Sequence, residues 1–121
     1  MGPMKIIIES PYAGDLVRNV GYARECLWDS LSRQESPFAS HLLYTQVLDD
    51  KIPAQREMGL KLAIPWYDAA DLCAVYTDLG ISDGMKRGMA YARSISLPVE
   101  ERRIRNASQT SFGQSFSFNK W

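Results

Sequence analysis

The stretch Lys5-Ile6-Ile7-Ile8-Glu9-Ser10-Pro11-Tyr12-Ala13-Gly14-Asp15 decides how the rest of the chain is read. Three consecutive isoleucines favour extended backbone, and Ser10-Pro11 and Gly14 stop the run, so residues 5–9 read as a short buried strand ending in a loop. Asp15 is a natural N-cap. From it to about Arg33, apolar residues recur at Val17, Val20, Ala23, Leu27 and Leu31, the spacing of an amphipathic helix. Strand, loop and helix in this order are the opening unit of a layered α/β domain.

The same alternation continues outward. Pro37 to Ser40 is short and apolar enough for a second strand, followed by a long connection from His41 to Pro53 that carries Tyr44, Asp49 and Asp50. Connections of that length inside a small domain often carry function. Ala54 to about Ala69 has helical spacing at Met58, Leu60, Leu62 and Ala63, with Pro65 expected to kink it or end it early. Leu72 to Thr77 is the cleanest buried strand, broken by Asp78-Leu79-Gly80. Ser82 caps a helix to about Ser94, and Leu97-Pro98-Val99 gives a last short strand. Repeated strand–helix alternation predicts right-handed crossovers and a three-layer α/β fold, with a parallel sheet of four to five strands and helices on both faces. The domain is expected over residues 4–101. The tail from Arg102 differs in kind: Asn106 to Trp121 is rich in Ser, Gln and Asn with Phe112, Phe116 and Phe118 spaced through it, which reads as a disordered tail or an arm packed on another subunit.

Composition narrows the function. The chain has 121 residues, 45% of them hydrophobic, enough for one modest core without disulfides or metal. Lysine plus arginine balances aspartate plus glutamate at 14 each, so no global field draws the chain to a nucleic acid polymer or an anionic membrane. The apolar run at Ile6 to Ile8 is too short for a signal peptide or a membrane span, and a soluble cytoplasmic protein is expected. Cys26 and Cys73 lack metal or redox spacing and read as buried thiols. With His41 the single histidine, a histidine-built metal site within one chain is ruled out. No cofactor or metal is expected.

In an open parallel sheet a ligand binds beyond the carboxyl ends of the strands, where strand order reverses. Three loops lead there. The first holds Ser10, Pro11, Tyr12 and Gly14. The second holds His41 and Tyr44, and the third Asp78, Ser82 and Gly84. Tyr12 and Tyr44 are able to stack on a base or to act as packing lids. His41 is able to bond a ribose hydroxyl or a phosphate, or to make a structural hydrogen bond. Ser82-Asp83-Gly84-Met85-Lys86-Arg87 places two cations in the first turn of a helix, against its dipole, which suits an anion held there; a solvated polar face is the competing reading. Arg18, near the start of the first helix, repeats that pattern more weakly.

Three segments, taken in order, resemble the landmarks of the nucleoside 2-deoxyribosyltransferases and related nucleotide N-hydrolases. They are Ile7-Ile8-Glu9-Ser10-Pro11-Tyr12-Ala13-Gly14, Ala70-Asp71-Leu72-Cys73-Ala74-Val75-Tyr76, and Gly84-Met85-Lys86-Arg87-Gly88-Met89-Ala90-Tyr91-Ala92. The resemblance covers roughly residues 5–99 and implies a flavodoxin- or Rossmann-like sheet that binds a nucleoside or nucleotide. It also implies a homo-oligomer. In that family a glutamate in a Gly-x-Glu-x-Gly element attacks the anomeric carbon; here Lys86 stands at that place, and an ammonium cannot attack. Asp71 matches the acid of the Ala-Asp motif. The start Ser-Pro-Tyr-Ala-Gly and the run Ser40-His41-Leu42-Leu43-Tyr44 also resemble a looser branch of small phage and bacterial proteins. Together these features imply capture of a nucleotide-type small molecule without turnover, such as sequestration of a nucleotide immune signal by a phage protein. Glycosidic cleavage by a relocated carboxylate, Asp78, Asp83 or Glu57 with help from Asp71, is the alternative. A structural interaction domain with a vestigial cleft is a third reading.

Overall fold

A computed structural model describes residues 2–104. The elements run in the order β1 (Lys5–Glu9), α1 (Leu16–Ser32), β2 (Ser36–Phe38), α2 (Ser40–Leu43), α3 (Pro53–Ala69), β3 (Leu72–Tyr76), α4 (Asp83–Ser94) and β4 (Val99–Arg102). The four strands form one sheet in the order β2-β1-β3-β4, every pair parallel. This is the three-layer α/β fold expected from the alternation. The order reverses between β1 and β3, so a crevice opens at their carboxyl ends.

Side-chain alternation divides the core into two. Ile6, Ile8, Leu72, Ala74 and Tyr76 face α1, where Tyr22 and Cys26 cover them. Ile7, Cys73 and Val75 face the opposite way onto Tyr67 of α3 and onto Met85, Met89 and Ala92 of α4. The fifth residue of β1, Glu9, continues this second series, so its carboxyl is carried into the layer beneath α3 and α4. Both cysteines are buried free thiols, and burial pushes the Cys73 thiol up to about 12.

Several local expectations are corrected. Helix α1 is capped by Asp15, whose carboxylate accepts from the Arg18 amide, yet its buried face runs through Asn19, Tyr22, Ala23, Cys26 and Ser30. Val17 is 87% exposed and Leu31 47% exposed. The apolar count misplaced the face because two of its positions are polar and serve neighbouring loops. The Asn19 amide donates to the carbonyls of Tyr12 and Ala13 at 3.0 Å each, and Ser30 donates to Glu35 at 2.7 Å. Strand β2 is one residue earlier and shorter than expected, and it leads into the short helix α2 and a 3-10 turn, Tyr44–Gln46, in place of a plain loop. Helix α3 continues past Pro65 to Ala69. Pro65 lies on the exposed side of the helix, where water can satisfy the Lys61 carbonyl that loses its helical donor.

Strand β4 begins later and ends later than expected, and the domain boundary moves with it. Arg102 closes the strand, and Ile104 joins the core under α1. The Arg102 guanidinium reaches both oxygens of Glu35 at 2.9 and 2.8 Å and the Tyr76 hydroxyl at 3.1 Å. The expected tail therefore begins beyond these residues, and Phe112, Phe116 and Phe118 lie outside the described residues.

Candidate functional site

A cavity of about 670 Å³ opens at the carboxyl ends of β1 and β2, under α3 and the start of α4. That is within the usual range for small-molecule sites. Its floor is Ile7, Glu9 and Ser10; Phe38 and Tyr44 line one side, edge-on to each other at 6.3 Å, and Trp66, outside the lining, stacks on Phe38 at 4.8 Å. The Trp66 indole donates to the Tyr44 hydroxyl at 2.9 Å, and that hydroxyl donates to the Leu62 carbonyl at 3.2 Å. Tyr44 is thereby fixed to α3 and frames the opening.

Glu9 is the central group. It is 8% exposed, and the Tyr67 hydroxyl donates to its carboxylate. Burial pushes the Glu9 carboxyl up to about 7, against the opposing pull of the Tyr67 hydrogen bond. Burial first, and the adjoining carboxylate second, hold the Tyr67 hydroxyl protonated. A carboxyl that titrates near neutrality in a cavity can serve as base, acid or nucleophile.

Gly88 of α4 makes room for this pair. A Cβ at position 88 would overlap the Glu9 carboxylate and the Tyr67 hydroxyl, so the glycine sits mid-helix where its flexibility costs about 1 kcal/mol. The two groups hold each other, so relief requires both to move. Gly88→Ala is expected to lower stability by about 1–2 kcal/mol, overpacking outweighing the gain in helix propensity. In a Glu9→Ala, Tyr67→Phe background, which removes both overlapping groups, the same change is expected to stabilise by up to about 1 kcal/mol, read as a sign reversal in urea unfolding.

The second polar pair is Ser10 and His41, with Ser10 Oγ 2.7 Å from His41 Nε2. Burial holds the His41 imidazole down to about 4, so it is neutral at physiological pH.

The cations are arranged differently from the sequence expectation. Lys86 is exposed and does not line the cavity. Arg87 does line it and pairs with Glu57 at 3.5 Å; Arg56 pairs with Asp50 at 3.0 Å. At the start of α4 the Ser82 hydroxyl accepts from the Met85 amide, and Asp83 puts a carboxylate in the first turn. These groups already complement the helix dipole, which weakens the case for a phosphate there.

Of the other expected site residues, Ser10, Tyr12, His41, Tyr44, Ser82, Gly84 and Met85 line the cavity. Gly14 turns the first loop with φ of +101° and borders a smaller neighbouring hollow; Pro11 is buried and lines neither space, and Arg18 is exposed, against Asn19. Asp71 is at the opposite end of the sheet, where its carboxylate accepts from the Lys5 amide at 2.8 Å. Asp78 accepts from Tyr22 at 2.6 Å and from the Ile104 amide at 3.1 Å, outside the cavity lining. Of the acids considered for a relocated role, Asp83 and Glu57 reach the cavity and Asp71 and Asp78 do not. Sequence reading missed Glu9, Tyr67, Arg56 and Phe38 as site residues. Glu9 carried a signal, being a charge that directly follows three isoleucines in a strand read as buried; Tyr67 carried none.

The fold is that of a doubly wound parallel α/β protein with a cavity at the carboxyl end of its sheet. Residues 4–102 match a family model described as a domain of unknown function, DUF7768, and the chain belongs to that family. No curated protein matches the sequence. Among the described residues no three His, Cys, Asp or Glu side chains gather as a metal site, and no helix is long and apolar enough to cross a membrane.

Proposed function

We propose that the cavity binds a nucleoside or nucleotide and that Glu9 cleaves its N-glycosidic bond. The supporting observation is the buried Glu9 carboxyl, held by Tyr67 at the carboxyl end of β1 and titrating near 7. In this reading the ionised carboxylate attacks the anomeric carbon, a carbon–oxygen ester bond forms as the carbon–nitrogen bond breaks, and the base leaves with a proton from solvent. Water then hydrolyses the ester and regenerates the carboxylate. Tyr67 orients the attacking oxygen, and Phe38 and Tyr44, backed by Trp66, offer an aromatic face to the base. The carboxylate that the family resemblance places at position 86 is supplied instead from β1. The protein is read as a cytoplasmic homo-oligomer.

The test is to incubate the full chain with nucleosides and their 5′-monophosphates and chromatograph both the filtrate and the denatured protein fraction. Free base is the expected product. Its release should rise with pH up to about 7 and level off above, and Glu9→Gln should lower it at least about 100-fold. A ligand removed from the filtrate and recovered intact would overturn cleavage in favour of capture without turnover, including the phage anti-defence role. If no ligand is depleted or converted, the nucleoside reading falls.

A further inference from the structure

The Ser10–His41 pair has no part in the attack by Glu9, yet it sits in the same cavity on the residue directly after it. Ser10 is 5% exposed, so its hydroxyl is removed from bulk water apart from the cavity. Its side-chain partner among the described residues is His41, at 2.7 Å. A neutral imidazole offers one donor and one acceptor, and a serine hydroxyl offers one proton and two lone pairs. If Nε2 accepts the serine proton, Oγ retains a lone pair to accept from a ligand; if Nε2 donates, the hydroxyl proton is free to be given to a ligand. The pair is uncharged in both arrangements, so it suits a neutral group that also donates and accepts. An alcohol is that group. A phosphate would meet no cation from this pair.

We infer that Ser10 and His41 form a subsite for a ring hydroxyl of the ligand's pentose, setting the sugar between this pair and Glu9. The inference rests on the nucleoside reading of the cavity and adds a requirement on the sugar: the cavity selects hydroxylated pentoses over dideoxy pentoses. Ser10 acts here by touching the ligand, and His41 acts through Ser10 as a positioning residue.

The experiment compares adenosine, guanosine, cytidine and uridine with their 2′,3′-dideoxy counterparts, using rapid equilibrium filtration with the full chain. The wild-type protein is expected to bind the hydroxylated member of the accepted pair about five- to tenfold tighter, the effect of one well-placed neutral hydrogen bond. Ser10→Ala is expected to erase that preference, with urea unfolding reading whether the variant keeps the wild-type fold. His41→Gln keeps a donor and an acceptor and is expected to retain part of the preference, whereas His41→Phe is expected to lose it. Equal wild-type affinities within the pair, or a preference that survives Ser10→Ala, overturns the subsite and leaves the nucleoside reading standing. If no member of the panel binds, the nucleoside reading fails and the subsite falls with it.

Discussion

Between pH 4 and 6.5 the unfolding free energy of Glu9→Gln will climb by about 3 kcal/mol, whereas in the wild-type protein the same rise will be largely masked. The expectation comes from two buried groups with opposite shifts. Glu9 is carried from its ordinary 4.5 up to about 7 by burial, and His41 from 6.5 down to about 4, also by burial. The folded chain therefore holds a proton at Glu9 that the unfolded chain has lost, so Glu9 contributes stability that is complete below pH 4.5 and disappears as pH rises through 7. At His41 the folded chain lacks a proton that the unfolded chain holds. Folding is penalised there in acid, and the penalty is relieved as pH rises through 6.5. From 4.5 to 6.5 the two slopes oppose each other, one proton against one. Removing the Glu9 titration unmasks the His41 slope; His41→Gln should unmask the reverse, a fall between pH 4.5 and 7. Urea unfolding at a series of pH values reads both. Parallel wild-type and Glu9→Gln curves would mean that Glu9 titrates as a solvated carboxyl, and the proposed chemistry would lose its tuned group.

Arg102→Met is expected to cost about 3–5 kcal/mol, the effect of breaking a buried ion pair from one side. The Arg102 and Glu35 side chains are 4% and 13% exposed. Desolvation alone would raise the Glu35 carboxyl, but hydrogen bonds from Arg102 first and Ser30 next outweigh it and hold the group below its ordinary range. Without the guanidinium that carboxylate is stranded under the sheet edge, and the Tyr76 hydroxyl loses a donor. Glu35 is lowered, so its contribution is present above its ordinary value and fades as pH falls. The loss in Arg102→Met should accordingly shrink in acid. Adding Glu35→Gln should recover part of the stability at neutral pH, because the unpaired charge is then gone. A neutral effect of Arg102→Met would show that residues 102–104 do not belong to the folded domain.

Much of the architecture was legible because it depends on local rules. Asp15 and Ser82 cap their helices as read, and the Ile6–Ile8 and Leu72–Tyr76 runs are buried strands. Alternation of strands and helices was enough to imply a parallel sheet covered on both faces. The site was half legible. Ser10, Tyr12, His41 and Tyr44 could be assigned to loops at the carboxyl ends of strands, because a parallel sheet sends alternate connections to the same end.

Tertiary packing settled the rest. Lys86 and Arg87 are neighbours in sequence, but one step along a helix turns the side chain about 100°, so Arg87 reaches the cavity and Lys86 faces solvent. Asp71 belongs to the amino end of β3, and its pairing with Lys5 removes it from the site. Glu9 and Tyr67 are 58 residues apart, and nothing in either neighbourhood announces the other. Their meeting, and the space that Gly88 leaves for them, exist only once α3 and α4 have closed over β1. The order of amino acids was enough to set the elements, their succession and the end of the sheet where the cavity opens, since these depend on the preferences of neighbouring residues. The carboxyl at the centre of that site, and its shifted proton affinity, came from desolvation between distant segments, which no local pattern records.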